Sequence, residues 1–154
     1  MRAVVGIGAN LGDRLATMRR AAGALARVAR VEAKSRVWRT TPVGPPQPEF
    51  LNAAVLLSYE GLPQRLLVDL LAIEAELGRV RQERWGPRAI DLDFLWAEGV
   101  VLATTSLTLP HPRLRERAFA LVPMLELVPD ATDPRTGERY VVPEGEVHAT
   151  GDVL

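Results

Sequence analysis

Two aspartates one residue apart, Asp91 and Asp93, follow a segment that carries Arg79, Arg81, Arg84 and Arg88, with Trp85 among them and Glu83 as its one acid. Ile90, Leu92 and Phe94 alternate with the aspartates, which predicts a strand with one apolar face. Side chains repeat with period two along a strand, so both carboxylates project from the opposite face, their Cα atoms about 6.5 Å apart. Like charges held that close repel unless something positive lies between them, and carboxylate oxygens suit a hard divalent cation. Guanidinium groups match the oxygens of a phosphate chain through planar, bidentate hydrogen bonds. Carboxylates for metal and guanidiniums for phosphate point to phosphoryl-type transfer from a nucleotide. Either half alone is ordinary, a solvated strand face or a solvated arginine loop. Their adjacency across the turn signal Gly86-Pro87 is what carries weight.

Three further groups could serve such chemistry. Residues 40–52 contain Thr40, Thr41, Pro42, Val43, Phe50 and Asn52, and Pro45, Pro46 and Pro48 restrict the loop, lowering the entropy lost when it orders around a ligand. Phe50 and Asn52 face one side of their strand. The amide of Asn52 can pair with a heterocycle edge that both donates and accepts, and Phe50 can stack on the ring. The plainer reading makes Asn52 a turn cap and Phe50 core. Residues 108–119 hold His111, Arg113, Arg115, Arg117 and Phe119. His111 stands between two prolines, outside any regular element, and is either a phosphate donor or simply exposed. Three alternating arginines ordinarily form a solvated run, and Glu74 reads as an exposed helix residue more often than as a ligand contact. Gly6, Gly8 and Gly12 have the wrong spacing for a dinucleotide-binding turn and fit a tight turn or close backbone packing better.

The elements that must position these groups are legible in outline. Residues 2–8 predict a buried strand; Asn10 to Asp13 break it and can cap a helix from Asp13 to Arg30. Further strands are expected over 31–39 and 50–60, and a second helix opens at Leu62-Pro63 and stops at Gly78. The acidic strand covers 89–96. Short strands near 100–102 and 107–109 follow, then a helical region over 115–127 interrupted at Pro123. The last twenty-five residues read as a hairpin or loose tail. The order β-α-β-β-α-β predicts an α+β fold: a ferredoxin-like core with an antiparallel sheet, helices packed on one face and a C-terminal extension, in one domain over 1–154.

Composition narrows the chemistry. With 19 basic and 19 acidic residues the net charge is zero, which argues against a general nucleic-acid or membrane-surface binder. Without cysteine there are no disulfides, thiolate metal sites or cysteine nucleophiles, and the two histidines, His111 and His148, are too far apart in the chain to suggest zinc. No apolar run is long enough to span a membrane and the start lacks a signal-peptide layout, so a cytoplasmic protein is expected.

Four segments together resemble the 6-hydroxymethyl-7,8-dihydropterin pyrophosphokinase family of folate biosynthesis: GIGANLGD (6–13), RTTPVGPPQPEFLNAAV (39–55), IEAELGRVRQERWGPRAIDLDF (73–94) and LTLPHPRLRERAFALVPMLEL (107–127). In that family ATP gives its β,γ-pyrophosphoryl group to the pterin's hydroxymethyl oxygen. The resemblance implies two magnesium ions on Asp91 and Asp93, and Arg79, Arg81 and Arg88 on the phosphates, with Arg79 and Arg88 nearest the transferred charge. It places Glu74, Phe94, Thr108, His111 and Arg117 on the ATP side. The pterin would lie between Phe50 and Phe119, its edge bonded by Asn52 and the backbone of Thr40, Pro42 and Val43, with Trp85 closing over it. Phe50 stands where many relatives have tyrosine, keeping the stack and losing a hydroxyl. The expected partners are ATP and the pterin alone, with no nucleic acid or membrane, acting on a monomer. Two other readings stay open: an RNA-binding ferredoxin-like module, and a nucleotide-dependent transferase acting on another heterocyclic alcohol.

Overall fold

The apolar run after Met1 becomes the central strand of a sheet, β1 (Arg2–Ala9), and its side chains alternate between two buried faces. Ala3, Val5, Ile7 and Ala9 enter one core and Val4 enters another. The computed structural model describes residues 1–41, 46–78 and 89–154. In chain order these continue with α1 (Arg14–Val28), β2 (Arg30–Lys34), β3 (Arg36–Thr40), β4 (Phe50–Ser58), α2 (Pro63–Glu76) and β5 (Asp91–Ala97). Then come β6 (Leu102–Ala103), β7 (Thr108–Leu109), a 3-10 turn at Leu114–Glu116, α3 (Ala118–Leu127) and β8 (Val147–Val153). The large sheet has the order β5-β1-β4-β3-β8, with β2 also on β4, and its pairs are antiparallel. Taking β2 and β3 as one broken strand, this is the expected ferredoxin-like βαββαβ core.

The helices form where the 3.6-residue stripe of leucine and alanine meets the sheet. Asp13, not Asn10, caps α1, its carboxylate accepting the Ala16 N–H at 3.2 Å. Met18, Ala21 and Leu25 of α1 and Leu66, Leu70 and Ile73 of α2 cover the face to which Val5, Ile7, Leu92 and Phe94 point. The expectation of helices on one face holds for these two. α3 differs: Leu121 and Met124 are fully buried on the opposite face with Val4, Ala54, Leu56, Leu95 and Trp96. Each such side chain contributes roughly 1.5–3 kcal/mol by leaving water. Pro123 lies inside α3 and does not interrupt it. It only withholds one N–H from the helix ladder.

Two other expectations are corrected. The strand read over 31–39 breaks at Ser35, which is fully buried between β2 and β3. Its N–H donates to the Ala54 carbonyl at 2.9 Å, and its hydroxyl accepts the Ala54 N–H at 2.8 Å and donates to the Arg36 carbonyl at 2.7 Å. A small hydroxyl that replaces ladder bonds lets the strand bend without orphaning polar groups. The C-terminal residues are not a loose tail. Thr132 and Arg139 bridge around a turn with Gly137 at φ +77°, and β8 then adds to the sheet beside β3. The polar sequence of β8 hides it, because neither of its faces is buried deeply enough to require alternation.

A buried ion cluster ties that tail down. The Asp133 side chain is wholly buried and accepts from Arg115 at 3.0 Å and from Arg135 at 2.9 Å, while the Trp96 indole donates to the Thr132 carbonyl at 2.9 Å. The Arg135 hydrogen bond leads in holding the Asp133 carboxyl down at about 2, against 3.8 ordinarily. A depressed carboxyl stabilises the fold above its unfolded-state value, and that contribution disappears as pH falls through the folded value. Asp133→Asn is therefore expected to lose on the order of 2 kcal/mol at neutral pH in urea unfolding. The gap to the parent chain should narrow as pH falls from 4 towards 2. A gap that stays constant over that range would rule out the ion cluster as its cause.

Candidate active site

β5 carries the acidic pair as its sequence requires. Leu92 and Phe94 are buried in the helix-covered core, and Asp91 and Asp93 lie half-buried on the other face. Further along, Leu95 is an extra residue in the pairing with β1, so Leu95 and Trp96 both turn into the α3 core. This bulge ends the polar stretch of the face after Asp93. Among the described residues β5 is also the last strand of the sheet on its side, with one row of its backbone groups facing away from β1. Two contacts from outside the sheet serve that strand. Glu74 of α2, buried and not exposed as its helix position suggested, accepts the Leu92 N–H at 2.8 Å. The His111 N–H donates to the Leu95 carbonyl at 2.8 Å.

The register brings the second group to the first. Gly8 of β1 pairs with Asn52 on one side and Asp91 on the other, so Asn52, Gly8 and Asp91 form one row across the sheet. Two interstrand steps separate the amide strand from the acidic strand, about 10 Å. Gly8 leaves that row open, and the Asn52 amide leans into the space: a Cβ on Gly8 would lie 3.1 Å from Asn52 Nδ2. A Cβ on Gly6 would likewise meet Leu95 at 3.1 Å. Close packing is thus the reason for both glycines, and Gly12, at φ +63°, serves the turn. Asn52 does not cap a turn. It sits within β4 at 8% exposure, its Oδ1 accepting the Thr40 hydroxyl at 2.8 Å, and Phe50 beside it is half-buried and outside the core.

The segment after β7 supplies the third group, and its arginines part company. Arg113 pairs with Glu116 at 3.2 Å on the surface, Arg115 holds Asp133, and Arg117 reaches Asp93 at 3.7 Å. Arg117 also stacks over Phe119, its Cζ 5.6 Å from the ring centre. His111 accepts the Arg113 N–H at Nδ1 (3.2 Å), which leaves Nε2 as the protonated nitrogen of the neutral ring. Burial pushes the imidazole below its usual range; the Asp93 charge opposes this, and Arg117 and Arg113 add to it.

Among the described residues, then, Asp91, Asp93, His111, Arg117, Asn52, Thr40 and Phe50 belong to one face of the sheet and its rim. Thr108 is half-buried on β7, which packs beside β5. The Phe94 side chain faces the core, so only its backbone borders the site. Arg79, Arg81, Trp85, Arg88, Pro42 and Val43 lie outside the described residues. Asn10, which the sequence offers only as part of a turn, is buried, and its Nδ2 donates to Gln47 Oε1 at 2.7 Å. No local pattern separates such an asparagine from a turn residue. A surface cleft of about 360 Å³ opens elsewhere, at the start of α1, lined by Arg14, Arg39, Glu49 and Asp152 among others. It contains neither aspartate of the acidic pair, and Arg39 already faces Glu49 at 3.8 Å.

Among the described residues no cluster of three or more metal-ligating side chains occurs, and no helix is long and apolar enough to cross a membrane. Two carboxylates are what a magnesium ion ordinarily takes from protein when phosphate oxygens and water complete its shell. Comparison with known proteins agrees with this chemistry. Residues 4–129 match the family model for 7,8-dihydro-6-hydroxymethylpterin-pyrophosphokinase (HPPK). The chain is 48% identical over 135 residues to 2-amino-4-hydroxy-6-hydroxymethyldihydropteridine pyrophosphokinase of Methylorubrum extorquens, covering 84% of each. It is 43% identical over 141 residues to the enzyme of that name from Synechocystis, covering 90% of this chain and 72% of the relative. A crystal structure of an HPPK-DHPS in complex with substrates superposes with a TM-score of 0.68 at 13% identity, a likeness of fold. That match covers 90% of this chain and 42% of the longer protein. With the acidic pair, the Asn52 row and the Arg117 rim all falling within residues 4–129, the chain belongs to the 7,8-dihydro-6-hydroxymethylpterin-pyrophosphokinase family.

Proposed function

We propose that this chain transfers the pyrophosphoryl group of ATP to the hydroxymethyl oxygen of 6-hydroxymethyl-7,8-dihydropterin in folate biosynthesis, as a cytoplasmic monomer. One observation carries the reading beyond family membership. The row Asn52–Gly8–Asp91 sets the Asn52 amide, which could pair with a heterocycle edge, about two strand spacings from the acidic strand. A pterin held at its edge by Asn52 would direct its hydroxymethyl arm towards Asp91 and Asp93. The hydroxymethyl oxygen then bonds to the β-phosphorus while that phosphorus loses the oxygen bridging to the α-phosphorus. AMP leaves with the bridging oxygen, and the hydroxyl proton passes to solvent.

Each residue has a stated part. Asp91 and Asp93 would hold magnesium, expected as two ions. Bound there, magnesium supplies charge neutralisation and alignment for the phosphate oxygens. Arg79, Arg81 and Arg88 would bind the phosphates, Arg79 and Arg88 where negative charge accumulates. Arg117, which faces Asp93 at 3.7 Å, would contact the nucleotide. Glu74, Phe94, Thr108 and His111 would border the ATP side, with His111 offering the Nε2 proton. Phe50 and Phe119 would enclose the pterin, Thr40 fixing the Asn52 amide and Pro42 and Val43 adding backbone contacts. Trp85 would close the pocket. Transfer through a loose transition state needs positioning and charge compensation more than a general base, which suits this set.

AMP formation that depends on the pterin alcohol tests the reading directly. Binding of RNA without nucleotide turnover would favour a binding module, and turnover only with another heterocyclic alcohol would move the specificity. Asp91→Asn and Asp93→Asn should each lower kcat by about 10²–10³, the usual cost of losing one preorganised electrostatic contact. Asp93→Asn should not lower the melting temperature, because the Asp93–Arg117 pair is partly exposed and contributes little to stability. Magnesium-dependent activity near the parent level in either variant would refute the metal assignment. Gly8→Ala should displace the Asn52 amide, costing about 1–3 kcal/mol of packing strain. Its mark should be a raised KM for the pterin with an unchanged KM for ATP; equal KM values for the pterin in both proteins would mean that Asn52 does not read it.

A further inference from the structure

Asn10 follows the last residue of β1 and is 1% exposed. Its Nδ2 donates to Gln47 Oε1 at 2.7 Å and to the Pro48 carbonyl at 3.2 Å. The β1–β4 register pairs Gly8 with Asn52 and Ala9 with Leu51, so the next step sets Asn10 beside Phe50, where β4 begins. Residues 46–49 lead into Phe50 without belonging to a strand. The half-buried Arg14 also holds this approach, donating to the Glu49 carbonyl at 2.7 Å. Pro46 and Pro48 fix their own φ angles, so the approach moves as a stiff piece, and anchoring one point places the rest.

We propose that Asn10 is a positioning residue for the pterin pocket: its buried amide fixes the approach 46–49 and thereby the placement of Phe50 and Asn52. The idea rests on the assignment of Phe50 and Asn52 to the pterin. It goes beyond that assignment by placing the control of pterin affinity in a residue that touches no substrate. A side-chain amide suits the task because two hydrogens on one nitrogen serve two acceptors at once. Alanine would remove both of these hydrogen bonds and loosen the approach, so ligand binding would have to supply more of the ordering.

The test compares the dissociation constants of the two ligands. In Asn10→Ala, the constant for the pterin, measured with an unreactive ATP analogue and magnesium present, should rise about tenfold, equivalent to 1.4 kcal/mol. The constant for the ATP analogue alone should stay within about twofold, and amide exchange at 47 and 49 should quicken. Gln47→Ala, a less buried change that leaves the Pro48 contact, should shift the pterin constant in the same direction by less; it replaces the first variant if that fails to fold. Equal weakening of both ligands, or no change in the pterin constant, would overturn the proposal. If the parent chain makes no AMP from the pterin alcohol, the assigned activity fails, whereas unaltered exchange at 47 and 49 in Asn10→Ala would refute the anchor itself.

Discussion

A strand that must show two like charges on one side and bury apolar groups on the other sets the terms for the rest of this structure. At about 6.5 Å, two carboxylates repel by roughly 0.6 kcal/mol in water and about 2.5 kcal/mol at an effective dielectric of 20. Burial of Leu92 and Phe94 under α1 and α2 outweighs that cost and fixes which face the charges occupy. Burial alone does not provide for the backbone groups on the strand's outer edge. Glu74 and His111 meet that need from either side of the sheet, one reaching Leu92 and the other Leu95. Arg117 then faces Asp93, so the pair is partly compensated within the chain.

The opposite face of the sheet is divided between packing and chemistry. α3, Leu95, Trp96 and Tyr140 fill the part beneath Val4, Ala54 and Leu56. The bulge at Leu95 marks the boundary, because it turns two successive side chains into that core directly after Asp93. Beyond the boundary the strands offer Gly8, Asn52 and Asp91 in one row. The tail stabilises this arrangement indirectly. Asp133 holds Arg115 two residues before Arg117, and the Thr132 carbonyl holds the Trp96 indole, so the rim of the site is braced by the C-terminal hairpin.

Family and geometry bear on each other at particular residues. The curated relatives match along most of their length, and the region matched by the family model ends after α3. β8, which completes the far edge of the sheet, lies outside it. It meets the core through β3, where Glu126 of α3 also accepts from Arg36 N–H at 2.9 Å and the Trp38 indole at 3.2 Å. The edge furthest from the acidic strand is thus joined to the helix that backs the site.

The sequence by itself determined the βαββαβ order, the two amphipathic helices, the acidic strand and its polar face, because each rests on periodicity within a dozen residues. It also determined the family, through four motifs whose residues lie in one order along the chain. Only the tertiary structure decided that Ser35 breaks a strand, that α3 lies across the sheet from α1 and α2, and that polar β8 is a strand at all. It alone distributed Arg113, Arg115 and Arg117 among a surface acid, a buried acid and the site, which in sequence are three equivalent arginines. It alone placed Asn10 against Gln47, and set Gly8 between Asn52 and Asp91. The physical reason is common to all of these. Local periodicity specifies which way a side chain points from its own element, but what it meets depends on strand register and on which elements cover each face, and those are set by contacts between residues far apart in the chain.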